Sequence, residues 1–116
     1  MNTFVSVIIP IRNEEKHISE CIESVISQTY PKENMEVLLV DGCSEDNTKQ
    51  IIEKYSEKYP YIKVLNNPQK IVPTALNIGI KASKGEVIIR MDAHTYYDKE
   101  YIAKCVETLK KVDAVN

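Results

Sequence analysis

Residues 4–9, FVSVII, form a nearly continuous apolar run rich in β-branched residues, and Pro10 follows directly. Such a run is typical of a strand buried on both faces of a parallel sheet. Residues 18–26 then carry apolar side chains at three- and four-residue spacing, which predicts a helix. The first 26 residues therefore predict one strand-helix unit, with Asn13 as the expected cap of its helix.

The same unit recurs three more times along the chain. Further strands are predicted over 37–40, 61–65 and 87–91, each followed by a polar break and a segment of helical period. This alternation predicts an α/β fold with a mainly parallel sheet and helices on both faces. Residues 113–116 predict the start of a fifth strand, so the alternation breaks off and we expect a fragment of a longer protein.

Local signals predict where the later helices begin and end and which way they face. The second helix is expected to be capped by Ser44 or Asp46, and the fourth by Asp98. The third is expected to have Pro73 in its first turn and to end at Gly85. Its predicted inward residues are Ala75, Leu76, Ile80 and Ala82.

Composition narrows the class of protein. A chain of 116 residues with 43% hydrophobic residues suits one core, so residues 1–116 are expected to form a single domain. The net charge of -2 and the dispersed basic residues argue against nucleic-acid binding. No apolar run is long enough to span a membrane, and the N-terminus lacks a basic targeting region. The three cysteines, without CxxC spacing, indicate small core residues in a reducing compartment.

Polar segments follow three of the predicted strands, at residues 10–14, 41–44 and 92–94. The carboxyl ends of parallel strands meet at one edge of a sheet, and ligands bind in the crevice there. If the first strand is central, with the second and fourth close by, the three segments converge on one crevice. The sequence therefore predicts that a ligand site, if present, lies at this edge.

The residue types at this edge suit a nucleotide diphosphate. Glu14 and Asp41 can accept hydrogen bonds from a base N–H or a ribose hydroxyl. Asp92 and His94 can offer an oxygen and a nitrogen to one divalent cation that bridges two phosphates. Simpler interpretations stay open: Asp41-Gly42 as a tight turn followed by a capping Ser44, and Asp92 and His94 as solvated loop residues.

Other nucleotide-binding and hydrolytic classes lack their motifs. With only three glycines, the sequence contains neither a GxGxxG turn nor a GxxxxGK[ST] phosphate loop. With only two histidines, there is little material for a Ser-His-Asp triad. A dehydrogenase, a P-loop enzyme or a triad hydrolase is therefore disfavoured.

Five segments in order resemble the family 2 glycosyltransferases, which have the GT-A fold. They are residues 5–14 (VSVIIPIRNE), 21–28 (CIESVISQ), 40–48 (VDGCSEDNT), 75–86 (ALNIGIKASKGE) and 90–94 (RMDAH). The resemblance implies the Rossmann-like nucleotide-binding half of a GT-A enzyme, truncated here. It also implies transfer of a sugar from a nucleotide-diphosphate sugar, usually a UDP-sugar, to an acceptor hydroxyl with inversion.

The resemblance implies roles for particular residues. Pro10, Arg12 and Glu14 would line the base and ribose pocket, Asp41 would contact uracil, and Lys70 would lie near the nucleotide. Asp92 and His94 occupy the family's DxD position, where the first reaches ribose or metal and the last binds Mn²⁺ or Mg²⁺. The family more often ends this motif in Asp, so His94 favours Mn²⁺. The DAH form resembles the succinoglycan and exopolysaccharide glucosyltransferase branch.

The family's catalytic base and acceptor-binding elements belong to a later half, so the base is expected outside this chain. The expected acceptor is a saccharide or a lipid-linked saccharide. The expected location is the cytoplasm, with the inner face of the membrane as the alternative for a full-length protein anchored through its missing portion. Exposed sheet edge predicts self-association. The rival functions are a sugar nucleotidyltransferase, disfavoured by the absence of glycine from residues 10–14, and a non-catalytic nucleotide-sugar-binding module.

Overall fold

A computed structural model describes residues 3–115, and the side chains of residues 3–109. Strands and helices alternate as the apolar pattern predicts. The strands are β1 (Val5–Ile11), β2 (Met35–Asp41), β3 (Ile62–Asn66) and β4 (Val87–Arg90), and the helices are α1 (Ile18–Ile26), α2 (Thr48–Lys58), α3 (Val72–Ala82) and α4 (Tyr101–Val115), with a 3-10 turn at Lys32–Asn34.

The four strands form one parallel sheet in the order β3-β2-β1-β4. The first strand is therefore central, with the second and fourth beside it, as the predicted crevice requires. Strands β1 and β2 end in register, with Ile11 opposite Asp41, whereas β4 ends earlier, with Arg90 opposite Ile8. The two loops that follow β1 and β4 consequently separate at the carboxyl edge of the sheet.

Helices cover both faces of the sheet, as predicted. Alternate residues of β1 and β2, among them Val7, Ile9 and Leu39, pack against α1, α2 and α4 in the larger core. The residues between them, among them Ile8 and Leu38, pack against α3. This alternation follows from the two-residue period of side chains along a strand.

The predicted cap of the first helix is wrong. Helix α1 follows His17, whose side chain makes no capping bond. Asn13 instead adopts a left-handed φ of 52°, and its Oδ1 accepts the backbone N–H of Glu45 over 2.7 Å. At α2, Asp46 Oδ1 accepts the N–H of Thr48 over 2.9 Å, so Asp46 satisfies one of the orphan donors at that end.

The third helix confirms its start but corrects its inward face and its end. Pro73 lies in the first turn. Ala75 is buried, but Ile80 is 51% exposed and Ala82 is also exposed; the inward position is taken by Gly79. Helical period alone cannot detect a glycine used for packing, because glycine carries no apolar side chain.

Gly85 does not form a left-handed helix end. Helix α3 ends at Ala82, and no glycine has a positive φ. A Cβ at position 85 would lie 2.5 Å from the Ser6 nitrogen. The glycine therefore permits a close approach to β1.

The last helix replaces the predicted fifth strand. Helix α4 extends to Val115, so the strand predicted over 113–116 is absent from residues 113–115, and Asn116 lies outside the described residues. Cys21 is buried and Cys105 partly buried, as predicted for core residues, whereas Cys43 is exposed; none forms a disulfide within the described residues. Across residues 3–115, no helix has both the length and the apolarity needed to cross a membrane.

Candidate functional site

The loops that follow β1, β3 and β4 enclose a cavity of about 200 Å³ at the carboxyl edge of the sheet. Six of the seven residues predicted for the site line it: Pro10, Arg12, Glu14, Lys70, Asp92 and His94. The remaining lining residues are Ile11, Asn67, Ile71, Val72, Ala75, Arg90 and Ala93. The structure thus brings together residues up to 84 positions apart, from Pro10 to His94.

The early end of β4 opens the crevice. The Ile8 carbonyl accepts the N–H of Met91, so the backbone groups of Ile8 face β4. Pro10, two residues on, faces the same side, where β4 has already ended. Proline has no backbone N–H, but no neighbouring strand would accept a hydrogen bond at this position. This explains how proline is tolerated in a central strand.

Arg12 is tied to the loop between β2 and α2. Its Nε donates to the Gly42 carbonyl over 3.1 Å, and a terminal nitrogen lies 3.6 Å from Glu45 Oε1. Lys70 and Arg90 line the same cavity. Three cationic side chains thus line the cavity against two carboxylates, Glu14 and Asp92, and this positive balance favours an anionic ligand.

The turn that presents Lys70 is held by the buried Asn67. Lys70 has a left-handed φ of 68°, and its N–H donates to the Asn67 carbonyl over 3.1 Å. The Asn67 amide donates to the Ile71 carbonyl over 2.8 Å and accepts from the Thr74 hydroxyl over 2.9 Å. In the sequence, residues 66–68 show only as part of the polar break after the third strand; an asparagine shortly before a predicted helix is the signal for this turn.

Asp92 and His94 each lie near an ionisable side chain that lines the same cavity. Asp92 Oδ1 lies 3.6 Å from an Arg90 guanidinium nitrogen, and His94 Nδ1 lies 3.9 Å from Glu14 Oε1. The Asp92 and His94 side chains are 50% and 64% exposed, so both can reach a ligand in the cavity.

The donor set of Asp92 and His94 fits a divalent cation that is shared with a ligand. A carboxylate oxygen and an imidazole nitrogen from one cavity suit Mn²⁺. Among the described residues, no three His, Cys, Asp or Glu side chains group into a cation site. Such an ion would therefore need further oxygens, which the phosphates of a nucleotide and water can supply.

Asp41 lies outside the lining of the cavity. It is 1% exposed; its Oδ1 accepts the Ser44 hydroxyl over 2.5 Å and its Oδ2 accepts the Ser44 N–H over 3.2 Å. Ser44 Oγ in turn accepts the N–H of Asn13 over 2.9 Å. The carboxylate therefore holds the loops after β1 and β2 together, and the expected contact of Asp41 with uracil stays a prediction.

Gly42 allows three segments to meet behind the cavity. A Cβ at this position would lie 3.1 Å from the Lys70 carbonyl oxygen, which is tighter than usual. The positive φ of the loop, 58°, falls instead on Cys43. Close approach, rather than a left-handed φ, therefore explains the glycine.

Comparison with known families gives one consistent result. The glycosyl transferase family 2 model matches residues 6–116. The chain is 38% identical over 111 residues to a dolichyl N-acetyl-alpha-D-glucosaminyl phosphate 3-beta-D-2,3-diacetamido-2,3-dideoxy-beta-D-glucuronosyltransferase of Methanococcus voltae, covering 94% of this chain and 35% of that protein. It is also 38% identical over 96 residues to the poly(ribitol-phosphate) beta-N-acetylglucosaminyltransferase TarS of Staphylococcus aureus, covering 82% and 17%.

Solved structures show the same likeness. TarS residues 1–349 of S. aureus in complex with UDP superpose with a TM-score of 0.82 at 34% identity, covering 93% of this chain and 32% of that chain. The mannosyltransferase PcManGT from Pyrobaculum calidifontis, in complex with GDP-Man and Mn²⁺, gives 0.85 at 26% identity, covering 91% and 32%. The chain thus spans about a third of each of these two solved chains, and 35% of the Methanococcus voltae protein.

Proposed function

The chain belongs to glycosyl transferase family 2, and on that premise we propose that residues 1–116 form a single domain, which is the nucleotide-sugar-binding part of a longer inverting enzyme. The observation that carries the proposal is the convergence of Pro10, Arg12, Glu14, Lys70, Asp92 and His94 on one cavity at the carboxyl edge of the sheet. A crevice at this edge is the usual ligand position in open α/β sheets.

Different residues of the cavity are assigned to different parts of the nucleotide-sugar donor. Pro10, Arg12 and Glu14 come from the end of β1 and are assigned to the base and ribose, where Glu14 accepts from hydroxyl or N–H groups. Lys70 and Arg90 lie where cationic side chains can meet the diphosphate. Asp41 is assigned to the base: each of its oxygens accepts one hydrogen bond from Ser44 and can accept another.

Asp92 and His94 are the residues that would hold Mn²⁺ or Mg²⁺. A bound divalent cation would neutralise charge on the departing diphosphate. Mn²⁺ is the stronger expectation, because imidazole nitrogen is a better ligand for Mn²⁺ than for Mg²⁺.

The reaction requires two groups on opposite sides of the sugar. The acceptor hydroxyl oxygen forms the new bond to the anomeric carbon as the bond to the diphosphate oxygen breaks, which inverts the configuration. The acceptor proton passes to a carboxylate base, which we expect outside residues 3–115. The cavity residues bind and orient the donor and stabilise its leaving group.

For the donor we propose a UDP-sugar, and for the acceptor a saccharide or a lipid-linked saccharide in polysaccharide or glycoconjugate synthesis. TarS, at 34% identity, is described in complex with UDP, whereas the mannosyltransferase, at 26%, is described with GDP-Man. The higher identity favours the uridine donor. A cytoplasmic location, with access to the inner face of a membrane, is part of the same proposal.

Calorimetric titration of the chain with UDP tests the donor site, with GDP as a nucleotide control, in Mn²⁺ and in EDTA. We expect UDP-selective binding that weakens at least about tenfold in EDTA and in Asp92→Ala, as is typical when metal ligation is disturbed. Glu57→Gln, an exposed carboxylate on α2, is the matched control and should bind as the unmodified chain does.

Two results would contradict the proposal. Equal affinity for UDP and GDP would refute uridine selectivity, and binding that is indifferent to both EDTA and Asp92→Ala would refute the metal site. In the full-length protein, the absence of acceptor-dependent UDP release from a UDP-sugar would favour the non-catalytic binding module.

A further inference from the structure

Side chains from two other segments hold the backbone of Asp92. Its N–H donates to the Tyr97 hydroxyl oxygen over 2.6 Å, and its carbonyl accepts the Cys21 thiol over 3.3 Å. Strand β4 has ended at Arg90, so the sheet ladder does not fix this residue. The Asp92 carbonyl also accepts the Thr95 N–H over 3.3 Å. Together these three contacts fix the backbone from which the Asp92 side chain leaves.

Tyr97 is itself held in place by its surroundings. Its ring packs against the core and lies 4.8 Å from the Tyr101 ring, at an interplanar angle of 52°. The buried Gln28 at the end of α1 donates to the Asp98 carbonyl over 2.7 Å and accepts the N–H of Ile102 over 2.9 Å. The segment that carries Tyr97 is thus anchored to α1, and its hydroxyl has a fixed position.

The Cys21 thiol adds a contact on the other side of Asp92. Cys21 is buried on α1, and its thiol donates to the Asp92 carbonyl over 3.3 Å. The Asp92 N–H and carbonyl belong to the two peptide units on either side of its Cα, so the Tyr97 and Cys21 contacts hold one unit each.

We propose that Tyr97 is a positioning residue of the donor site: its hydroxyl oxygen holds the Asp92 N–H and so aims the Asp92 carboxylate into the cavity. This inference rests on the proposed function, since it assigns Asp92 to the donor and its cation. Tyr97 lines no part of the cavity and acts only through Asp92. Partners of this kind commonly change metal affinity about 10- to 100-fold when removed.

Tyr97→Phe in the whole chain tests the role, because phenylalanine keeps the ring and removes the hydroxyl. UDP binding in Mn²⁺ should weaken about tenfold, while UDP binding in EDTA should stay within about twofold. Tyr96→Phe is the matched control: Tyr96 is 68% exposed, and its variant should bind normally. In an Asp92→Ala background, Tyr97→Phe should cause no further loss, because the two residues act as one unit.

Amide hydrogen exchange provides a readout that needs no ligand. The Asp92 amide should exchange faster in Tyr97→Phe than in Tyr96→Phe, with the amide of Val7 in the central strand unchanged. A merely structural role would instead accelerate exchange at both sites and lower the melting temperature.

The outcomes separate the two proposals. Failure of the unmodified chain to bind UDP with Mn²⁺ would refute the proposed function and the role of Tyr97 with it. If the unmodified chain binds, the role of Tyr97 alone is refuted by normal affinity in Tyr97→Phe, by an equal loss in EDTA, or by unchanged exchange at Asp92.

Discussion

At the scale of single residues, a second buried carboxylate lies at the opposite end of the sheet from the cavity. Glu36 is 3% exposed; its Oε2 accepts the Ser6 hydroxyl and the Lys84 N–H, each over 2.7 Å. Lys63 Nζ lies 3.5 Å from Oε1. Gly85 N–H donates to Ser6 Oγ over 2.8 Å, so this network attaches the connection between α3 and β4 to the sheet.

Acid should weaken this network, because Glu36 must stay ionised. Burial by itself raises the pKa of Glu36, but hydrogen bonds from Ser6 and Lys84 and the charge of Lys63 outweigh it and hold the pKa below the usual 4.5. A carboxylate with a lowered pKa in the folded state stabilises the protein fully above its unfolded value. That contribution is lost as the pH falls below 4.5 through the folded pKa.

Glu36→Gln should therefore lower the free energy of unfolding by about 2 kcal/mol at pH 7, the scale of hydrogen bonds to a charged group. The difference from the unmodified chain should shrink as the pH falls from 5 to 3. Urea titrations across that range measure it, with Glu33→Gln at a neighbouring exposed position as control. A difference that does not change with pH would contradict a stabilising charge.

At the scale of elements, the approach of α3 to the sheet depends on Gly79. A Cβ there would lie 2.6 Å from Ile8 Cγ2 and 2.9 Å from Ile8 Cδ1. Ile8 belongs to the smaller core with Leu38, Val40 and Ala75, on which α3 rests. Helix α3 also follows the loop that carries Lys70, so the position of α3 on the sheet fixes one wall of the cavity.

Gly79→Ala should therefore destabilise the fold, although glycine to alanine normally stabilises a helix interior by about 1 kcal/mol. Overpacking against Ile8 should outweigh that gain and leave a net loss of about 1–2 kcal/mol. Asn77→Ala on the exposed face of the same helix is the control and should be neutral or slightly stabilising. Thermal unfolding of both variants measures the contrast; an equal gain in both would contradict the packing argument.

At the scale of the whole molecule, β4 is an edge strand within residues 3–115 and pairs only with β1. Ile88 on this strand is 43% exposed, and Ile80 of α3 is 51% exposed. Unpaired backbone groups beside exposed apolar side chains favour association between chains.

We expect the chain to self-associate through this edge as its concentration rises. Ile88→Lys should shift the population toward monomer, because a lysine on an edge strand opposes pairing with a second chain. Sedimentation velocity at several concentrations measures the shift. Gln50→Lys adds the same charge on exposed α2 and should leave association unchanged; a strictly monomeric unmodified chain would contradict the prediction.

Much of this molecule followed from local patterns in the sequence. Apolar runs and helical spacing predict all four strands and four helices, because burial of one face imposes those periods within each segment. The end of each parallel strand predicts which loops meet: four of residues 10–14 and all of residues 92–94 line one cavity, whereas residues 41–44 do not. One local prediction is wrong, since α4 replaces the fifth strand. Other errors concern contacts between segments, as where Asn13 bonds Glu45 rather than capping α1.

The sequence by itself determined the parallel α/β architecture, the edge at which the candidate site lies and most of the residues at that edge. Only the tertiary structure decided that the Asp41 carboxylate accepts a hydrogen bond from Ser44, that Gly79 faces Ile8, and that the Tyr97 hydroxyl accepts the Asp92 N–H. The physical reason is the distance along the chain over which each kind of interaction acts. Periodicity acts within a few turns, whereas Cys21 meets Asp92 across 71 positions only because strand order and helix packing bring them together.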